Sequence, residues 1–274
     1  MIKVLVRIAS CLFPGVVVER AYRVLTNPQV HKLRAHEGEV LDRAKRSHIR
    51  FNKFRIQVYE WGNSRHERVL LVHGWEGQAG NFADLIPHLL ERNFHIVAFD
   101  GPAHGFSSRG QTSFFEFSAL VSEMIRRYEC RKLISHSFGG VATTYALAQH
   151  PELEIDRYVL LTVPDRFSQR IDAVVRQVGT TRRVKRLLVE RMEREMDVRV
   201  GEVNVSNFVR AVNVKRALIL HDKKDRVIPL TQAQSVAANW RQCTLDILEG
   251  TGHFRILRTP RVAERVVAFM TDDQ

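Results

Sequence analysis

Lys132-Leu133-Ile134-Ser135-His136-Ser137-Phe138-Gly139-Gly140-Val141 is the stretch on which the reading of this chain turns. A short apolar run at 132–135 leads into a helical pattern at 141–149, with two glycines at the junction. A serine on so sharp a strand-to-helix turn is held in a strained backbone conformation that lifts its hydroxyl above the sheet, and its neighbours must be small. Gly139 and Gly140 meet that need downstream. Upstream, Ser135 stands where a glycine is usual, which predicts a more crowded turn. Taken alone, the pentapeptide is a weak signal that also reads as an ordinary helix start capped by Ser135 or Ser137.

On both sides of this stretch, short apolar runs alternate with helical patterns, the sign of βαβ units and a parallel sheet. The runs lie at 69–72, 95–99, 132–135, 158–162, 217–220 and 244–248, each followed by a loop of unusual residues. In a parallel sheet those loops emerge together at the carboxyl edge, where such folds bind ligands. Before them, Ile49 and Phe51, then Phe54, Ile56 and Val58, alternate with polar residues around Asn52-Lys53, as in an antiparallel strand pair. Residues 1–47 are helical in pattern, broken at Pro14-Gly15 and Asn27-Pro28, and form an N-terminal extension. Between 165 and 208 the alternation stops for longer than a connecting loop requires. This predicts a helical cap insertion, leaving 48–164 and 209–274 as the α/β core. Within the insertion Val184, Leu187, Leu188, Met192 and Met196 share one helical face, which either packs on the core or lines an acyl pocket.

A serine hydroxyl is a poor nucleophile at neutral pH and needs a general base oriented by a third group. His253, in Gly250-Thr251-Gly252-His253, follows the last strand, and Asp225, in Asp222-Lys223-Lys224-Asp225-Arg226-Val227-Ile228-Pro229, follows the one before it. Ser137, Asp225 and His253 are therefore the candidate catalytic residues, with Asp222 competing for the acid role. A developing oxyanion needs two preorganised N–H donors. Those of Phe138, next to the serine, and of Trp75, in His73-Gly74-Trp75-Glu76-Gly77, are the candidates, while His73 is expected to buttress its loop.

With these motifs in view, and with Asp100-Gly101-Pro102-Ala103-His104-Gly105 after the second strand, residues 66–270 resemble the α/β-hydrolase superfamily. Within it, the pairing of His-Gly-Trp-Glu-Gly with Asp-Gly-Pro-Ala-His-Gly is similar to a bacterial subgroup. The resemblance implies an eight-stranded, mostly parallel sheet with helices on both faces, a cap over the site, no metal and no cofactor. Asp100 and His104 then shape a structural loop. The implied activity is cleavage of a carboxylic ester or thioester by acyl transfer through Ser137, and the alternative is a non-catalytic binding or regulatory protein of the same fold.

The chain carries 42 Lys and Arg against 30 Asp and Glu, a net charge of +12. Such a field draws anions, but the basic residues are scattered and no zinc-ligand spacing, RNA-binding strand motif or aromatic platform accompanies them, so no nucleic-acid partner is expected. A small acyl substrate is the expected partner, and the field favours acyl donors that bear carboxylate or phosphate. Cys11, Cys130 and Cys243 are odd in number and widely spaced, which fits a reducing, cytoplasmic setting. The apolar start is too short for a signal peptide, being interrupted by Arg7. Residues 2–13 read as an amphipathic helix with Lys3, Arg7, Ser10 and Pro14 opposite Ile2, Leu5, Ile8, Ala9 and Leu12. It either packs on the body, the leading reading, or makes weak contact with an anionic membrane surface.

Overall fold

A computed structural model describes residues 2–196 and 198–271, without the side chains of residues 2–5 and 196. Eight strands form one sheet: β1 (Lys45–Phe51), β2 (Phe54–Trp61), β3 (Arg68–Val72), β4 (His95–Phe99), β5 (Lys132–His136), β6 (Ile155–Leu161), β7 (Val214–Asp222) and β8 (Cys243–Leu248). Their order across the sheet is β1-β2-β4-β3-β5-β6-β7-β8. Pairing is antiparallel for β1 with β2 and β2 with β4, and parallel from β4 through β8. This is the eight-stranded, mostly parallel sheet that the resemblance implied.

The helices are α1 (Ile2–Leu12), α2 (Pro14–Thr26), α3 (Ala35–Asp42), α4 (Ile86–Leu90), α5 (Phe114–Arg127), α6 (Phe138–Gln149), α7 (Phe167–Val178), α8 (Arg182–Met196), α9 (Val205–Phe208), α10 (Leu230–Ala238), α11 (Gly252–Arg255) and α12 (Pro260–Thr271). Successive strand side chains point to opposite faces, and both faces are covered, so the central strands are apolar throughout. Leu70, Val72, Val97, Phe99 and Leu133 join the core beneath α5, α6 and α10. Val69, Leu71, Ile96, Ala98 and Ile134 join the core beneath α3, α4 and α12.

One boundary and one helix face differ from those expected. The hairpin opens at Lys45, inside the segment assigned to the extension, because Lys45, Arg46 and Ser47 pair with Glu60, Tyr59 and Val58. Their side chains lie mostly in solvent on an edge strand, so no apolar period announces them. On α1 the expected faces are partly reversed. Ser10 is buried, while Ile8 and Leu12 are 52% and 66% exposed. Ser10 Oγ donates to the carbonyl of Val6 at 2.7 Å, so its polar atom is satisfied inside the helix and burial costs little. Of the two apolar faces read from sequence, the side chains of Ile2, Leu5 and Met196 lie outside the described residues.

α7, α8 and α9 occupy the chain between β6 and β7. Val184, Leu188 and Met192 are buried against the core, as a packed helix face requires. α2 lies against α8 through a charged and aromatic contact. Arg191 donates to Glu19 at 2.7 Å and to Glu195 at 2.8 Å, its guanidinium stands 3.8 Å from the Tyr22 ring, and the Tyr22 hydroxyl donates to Glu195.

Where α6 leaves β5 it presses its first turn against the end of β3. A Cβ at Gly139 would stand 2.4 Å from the His73 carbonyl oxygen and 2.6 Å from that of Val72, both rigid backbone atoms. Gly139→Ala is therefore expected to lower stability by roughly 1–3 kcal/mol, the range for overpacking a closed site. Gly15→Ala, on an open stretch of α2 with nothing within 4 Å of the added atom, is expected to be neutral or to raise stability by up to about 1 kcal/mol. Denaturant unfolding of the two variants checks the pair.

Candidate active site

Ser137 directly follows β5 and precedes α6, with φ 52° and ψ −121°. That conformation costs a non-glycine residue on the order of 1–3 kcal/mol and persists only where its surroundings enforce it. Here Ser137 N–H donates to the Leu161 carbonyl at 2.9 Å, and the Ser137 carbonyl accepts from Gly140 N–H at 2.8 Å. The serine makes no side-chain capping bond to α6, so it is not the ordinary helix cap that its sequence position also allows. Its Oγ lies 3.1 Å from His253 Nε2 instead.

Ser135 fits where glycine is usual because a neighbour takes up its hydroxyl. Tyr158 OH donates to the Gly140 carbonyl at 3.2 Å and so accepts from Ser135 Oγ at 2.9 Å. The extra atoms are thus turned into a brace between β5, β6 and the first turn of α6.

His253, in α11, bridges two loops. Its Nδ1 lies 2.8 Å from Asp225 Oδ2 and its Nε2 faces Ser137. Asp225 Oδ1 accepts from the N–H groups of Val227 and Ile228 at 2.7 and 2.9 Å. Burial works to raise the Asp225 pKa, but the hydrogen bond with His253 and those backbone donors prevail, and the carboxyl is held below its ordinary value. An ionised Asp225 obliges Nδ1 to carry the proton, which leaves the Nε2 lone pair directed at Ser137.

Asp222 does different work. Its Oδ2 accepts from Thr251 N–H and Oγ1 at 2.6 and 2.9 Å, and its Oδ1 from Lys224 N–H at 2.8 Å. Although burial opposes it, these bonds and one from Gly252 N–H pull the carboxyl down to about 2. Asp222 thus fastens the loop that delivers His253, while Asp225 touches the imidazole itself.

Three histidines that the sequence left in loops prove to be struts. His136 Nε2–H donates to the His253 carbonyl at 3.0 Å, across 117 residues, and burial together with the neighbouring His253 lowers its pKa to about 3. His73 Nδ1–H donates to the Gly74 carbonyl at 2.7 Å while Nε2 accepts from Gly101 N–H at 2.8 Å. Burial lowers its pKa to about 4, so it is a neutral tie between the loops after β3 and β4. His221 Nε2–H donates to the Ile228 carbonyl at 3.0 Å, beneath Asp225. Asp100 completes the set by accepting from Ala79 N–H, Phe106 N–H and Tyr59 OH at 2.8, 2.7 and 3.1 Å. No sequence signal marks the long-range partners, His136 with His253, His73 with Gly101, and Asp100 with Ala79 and Tyr59, because those bonds join segments that meet only in the fold.

Ser137, His253, Trp75 and Phe138 line a cavity of about 680 Å³. The N–H groups of Trp75 and Phe138 have no backbone acceptor among the described residues. Trp75, Phe138, Phe167 and Arg170 also line a second cavity of about 420 Å³, otherwise walled by Leu25, Phe114, Phe115 and Met192 among others. Trp75 Nε1 is buried without a partner among the described residues. No group of three or more His, Cys, Asp or Glu among those residues is arranged to hold a metal ion. No helix among them is long and apolar enough to cross a membrane.

Comparison with known proteins identifies the family and the fold. A human serine hydrolase-like protein is 36% identical over 115 residues, covering 40% of this chain and 56% of the relative. The chain spans about half the length, or less, of the serine hydrolase-like relatives it matches. An esterase from Exiguobacterium antarcticum superposes with a TM-score of 0.66 at 18% identity, over 82% of this chain and 99% of that one. The thioesterase domain of the curacin biosynthetic pathway gives 0.61 at 16% identity, over 82% and 99%. At such identities the likeness is one of fold. The sequence profile of the Alpha/beta hydrolase family matches residues 69–265, from β3 into α12, and the chain belongs to that family.

Proposed function

We propose that this chain is a serine hydrolase that cleaves a carboxylic ester or thioester by two-step acyl transfer. The observation that carries the reading is the imidazole of His253, held between the Ser137 hydroxyl at 3.1 Å and the Asp225 carboxylate at 2.8 Å on the wall of a substrate-sized cavity. Membership of the hydrolase family and the fold shared with an esterase and a thioesterase support it.

Ser137 Oγ attacks the substrate carbonyl carbon and passes its proton to His253 Nε2. Asp225 keeps the imidazole in the useful tautomer and stabilises the cation that forms. The amides of Phe138 and Trp75, free of backbone acceptors, receive the oxyanion. Collapse breaks the carbonyl's C–O or C–S bond, and His253 returns the proton to the leaving oxygen or sulfur. Water, deprotonated by the same imidazole, then releases the acid and restores the serine. The acyl chain enters the second cavity, whose wall of Leu25, Phe114, Phe115, Phe138, Phe167 and Met192 suits an apolar group. The three cysteines are unpaired, which fits a cytoplasmic setting.

Labelling by a fluorophosphonate probe is expected in the parent protein and absent in Ser137→Ala. A folded parent that takes no label and turns over no ester in a p-nitrophenyl series from acetyl to dodecanoyl sinks the reading. Within that series kcat/KM should climb with chain length by about fourfold per methylene, from roughly 0.8 kcal/mol each, until the second cavity is full. Met192→Trp, which fills that cavity, should move the optimum to shorter chains.

The two aspartates should separate cleanly. Asp225→Asn is expected to cut kcat by about three to four orders of magnitude, because the imidazole loses its orienting anion. Asp222→Asn should act on stability. A carboxyl held at about 2, against 3.8 when free, contributes stability above the free value that is lost as pH falls through the folded one. The parent should therefore lose stability between about pH 4 and 2 more steeply than Asp222→Asn, as acid unfolding followed by circular dichroism would show.

A further inference from the structure

The larger cavity has an unbalanced charge. Besides Ser137 and His253 its wall carries Lys32, Arg166, Arg170, Arg176, Arg226 and Arg258, none of which makes an ion pair among the described residues. Its two carboxylates are already engaged: Glu37 with Arg34 at 3.4 Å, and Glu76 with the Gln29 N–H at 3.2 Å and His31 at 3.9 Å. Elsewhere the arginines are commonly paired, as Arg131 is with Glu154 and Asp156, Arg126 with Glu152, and Arg191 with Glu19 and Glu195. Unpaired cations thus gather in the cavity that also holds the serine, and they come from segments far apart in the chain: the strap before α3, α7, the loop after β7, and the turn after α11.

Arg170 is the best placed of them. It is half-buried, and it lines both cavities at the point where they meet. Burial lowers its pKa with only Glu76 opposing, the mark of a guanidinium short of a counter-ion. A desolvated cation without a partner is costly, and the cost is recovered when an anion arrives. Guanidinium groups favour phosphate, which they bind through paired hydrogen bonds. Since the apolar second cavity takes the acyl chain, the cationic wall is left to the other end of the substrate.

We propose that the cationic wall around Arg170 is a phosphate subsite, and that the substrate is an acyl ester or thioester whose leaving group bears a phosphate. The proposal rests on the serine-hydrolase reading. Two sources supply such a leaving group, a soluble phosphate-bearing thiol carrier and a phospholipid headgroup.

The test compares substrates matched in acyl group and differing in phosphate: hexanoyl-coenzyme A against hexanoyl-N-acetylcysteamine, and dihexanoyl phosphatidylglycerol against dihexanoylglycerol. In at least one pair the phosphate-bearing member should have the higher kcat/KM by about tenfold or more, a preference that shrinks as salt is added. Preference in the first pair assigns the soluble carrier, and preference in the second assigns the phospholipid. Arg170→Gln should cut the ratio within that pair about tenfold, the scale of one charge-assisted contact. Arg170→Lys should restore part of it. Arg241→Gln, which removes an equal charge just before β8 at the opposite edge of the sheet, should leave the ratio unchanged. Ratios near one in both pairs, or a ratio indifferent to Arg170→Gln, overturn the subsite while neutral esters still report the serine. If no substrate is turned over, the hydrolase reading fails by itself, and calorimetry with coenzyme A and with dihexanoyl phosphatidylglycerol decides the subsite. Binding weakened about tenfold by Arg170→Gln supports it, and no binding of either overturns it.

Discussion

Everything at the site depends on the close approach of α6 to the end of β3. With only hydrogen on Gly139, the first turn of α6 comes within contact of the Val72 and His73 carbonyls, where a Cβ would stand 2.4 Å from backbone oxygen. That approach leaves the chain one way round the corner, and Ser137 takes the strain at φ 52°. The strain is held by bonds on both sides, from Ser137 N–H to Leu161 and from Gly140 N–H to Ser137. A hydroxyl fixed in this way already faces the imidazole, 3.1 Å from His253 Nε2, and needs no reorganisation to meet it.

The same economy governs the loops around it. Parallel strands end together, but their loops share no sequence and must be tied to one another. Buried polar groups supply the ties: His73 to Gly101, Asp100 to Ala79 and Phe106, Asp222 to Thr251, His136 to the His253 carbonyl. Each group is buried and paired, so breaking one leaves a polar atom stranded and costs more than forming it contributed. Neutral histidines serve well here, since one ring nitrogen donates while the other accepts, as His73 does between the Gly74 carbonyl and the Gly101 amide.

The N-terminal helices and those between β6 and β7 meet each other as well as the core. Arg191 links Glu19 of α2 to Glu195 of α8 while lying over Tyr22, and Leu25 of α2 and Met192 of α8 share the wall of the apolar cavity. Two segments that read separately in the sequence as an extension and an insertion thereby enclose one space. On the Met-bearing face of α8, Val184, Leu188 and Met192 pack in the core, and Met192 also stands at the cavity wall.

By itself the sequence determined the alternation of strands and helices, the serine at the β5–α6 turn, and the order of Ser137, Asp225 and His253 along the chain. Those are matters of local period, turn chemistry and chain order, which a sequence states directly. Tertiary structure alone decided between Asp222 and Asp225, because the two are the same residue type three positions apart, and only the fold shows which oxygen faces His253 and which faces Thr251. It also decided that Ser135 is braced by Tyr158, that Ser10 turns inward, and that β1 begins at Lys45. The cationic wall was legible only as net charge, since Lys32, Arg170, Arg226 and Arg258 are scattered along the chain and become neighbours when strands that pair side by side bring their ends to one edge.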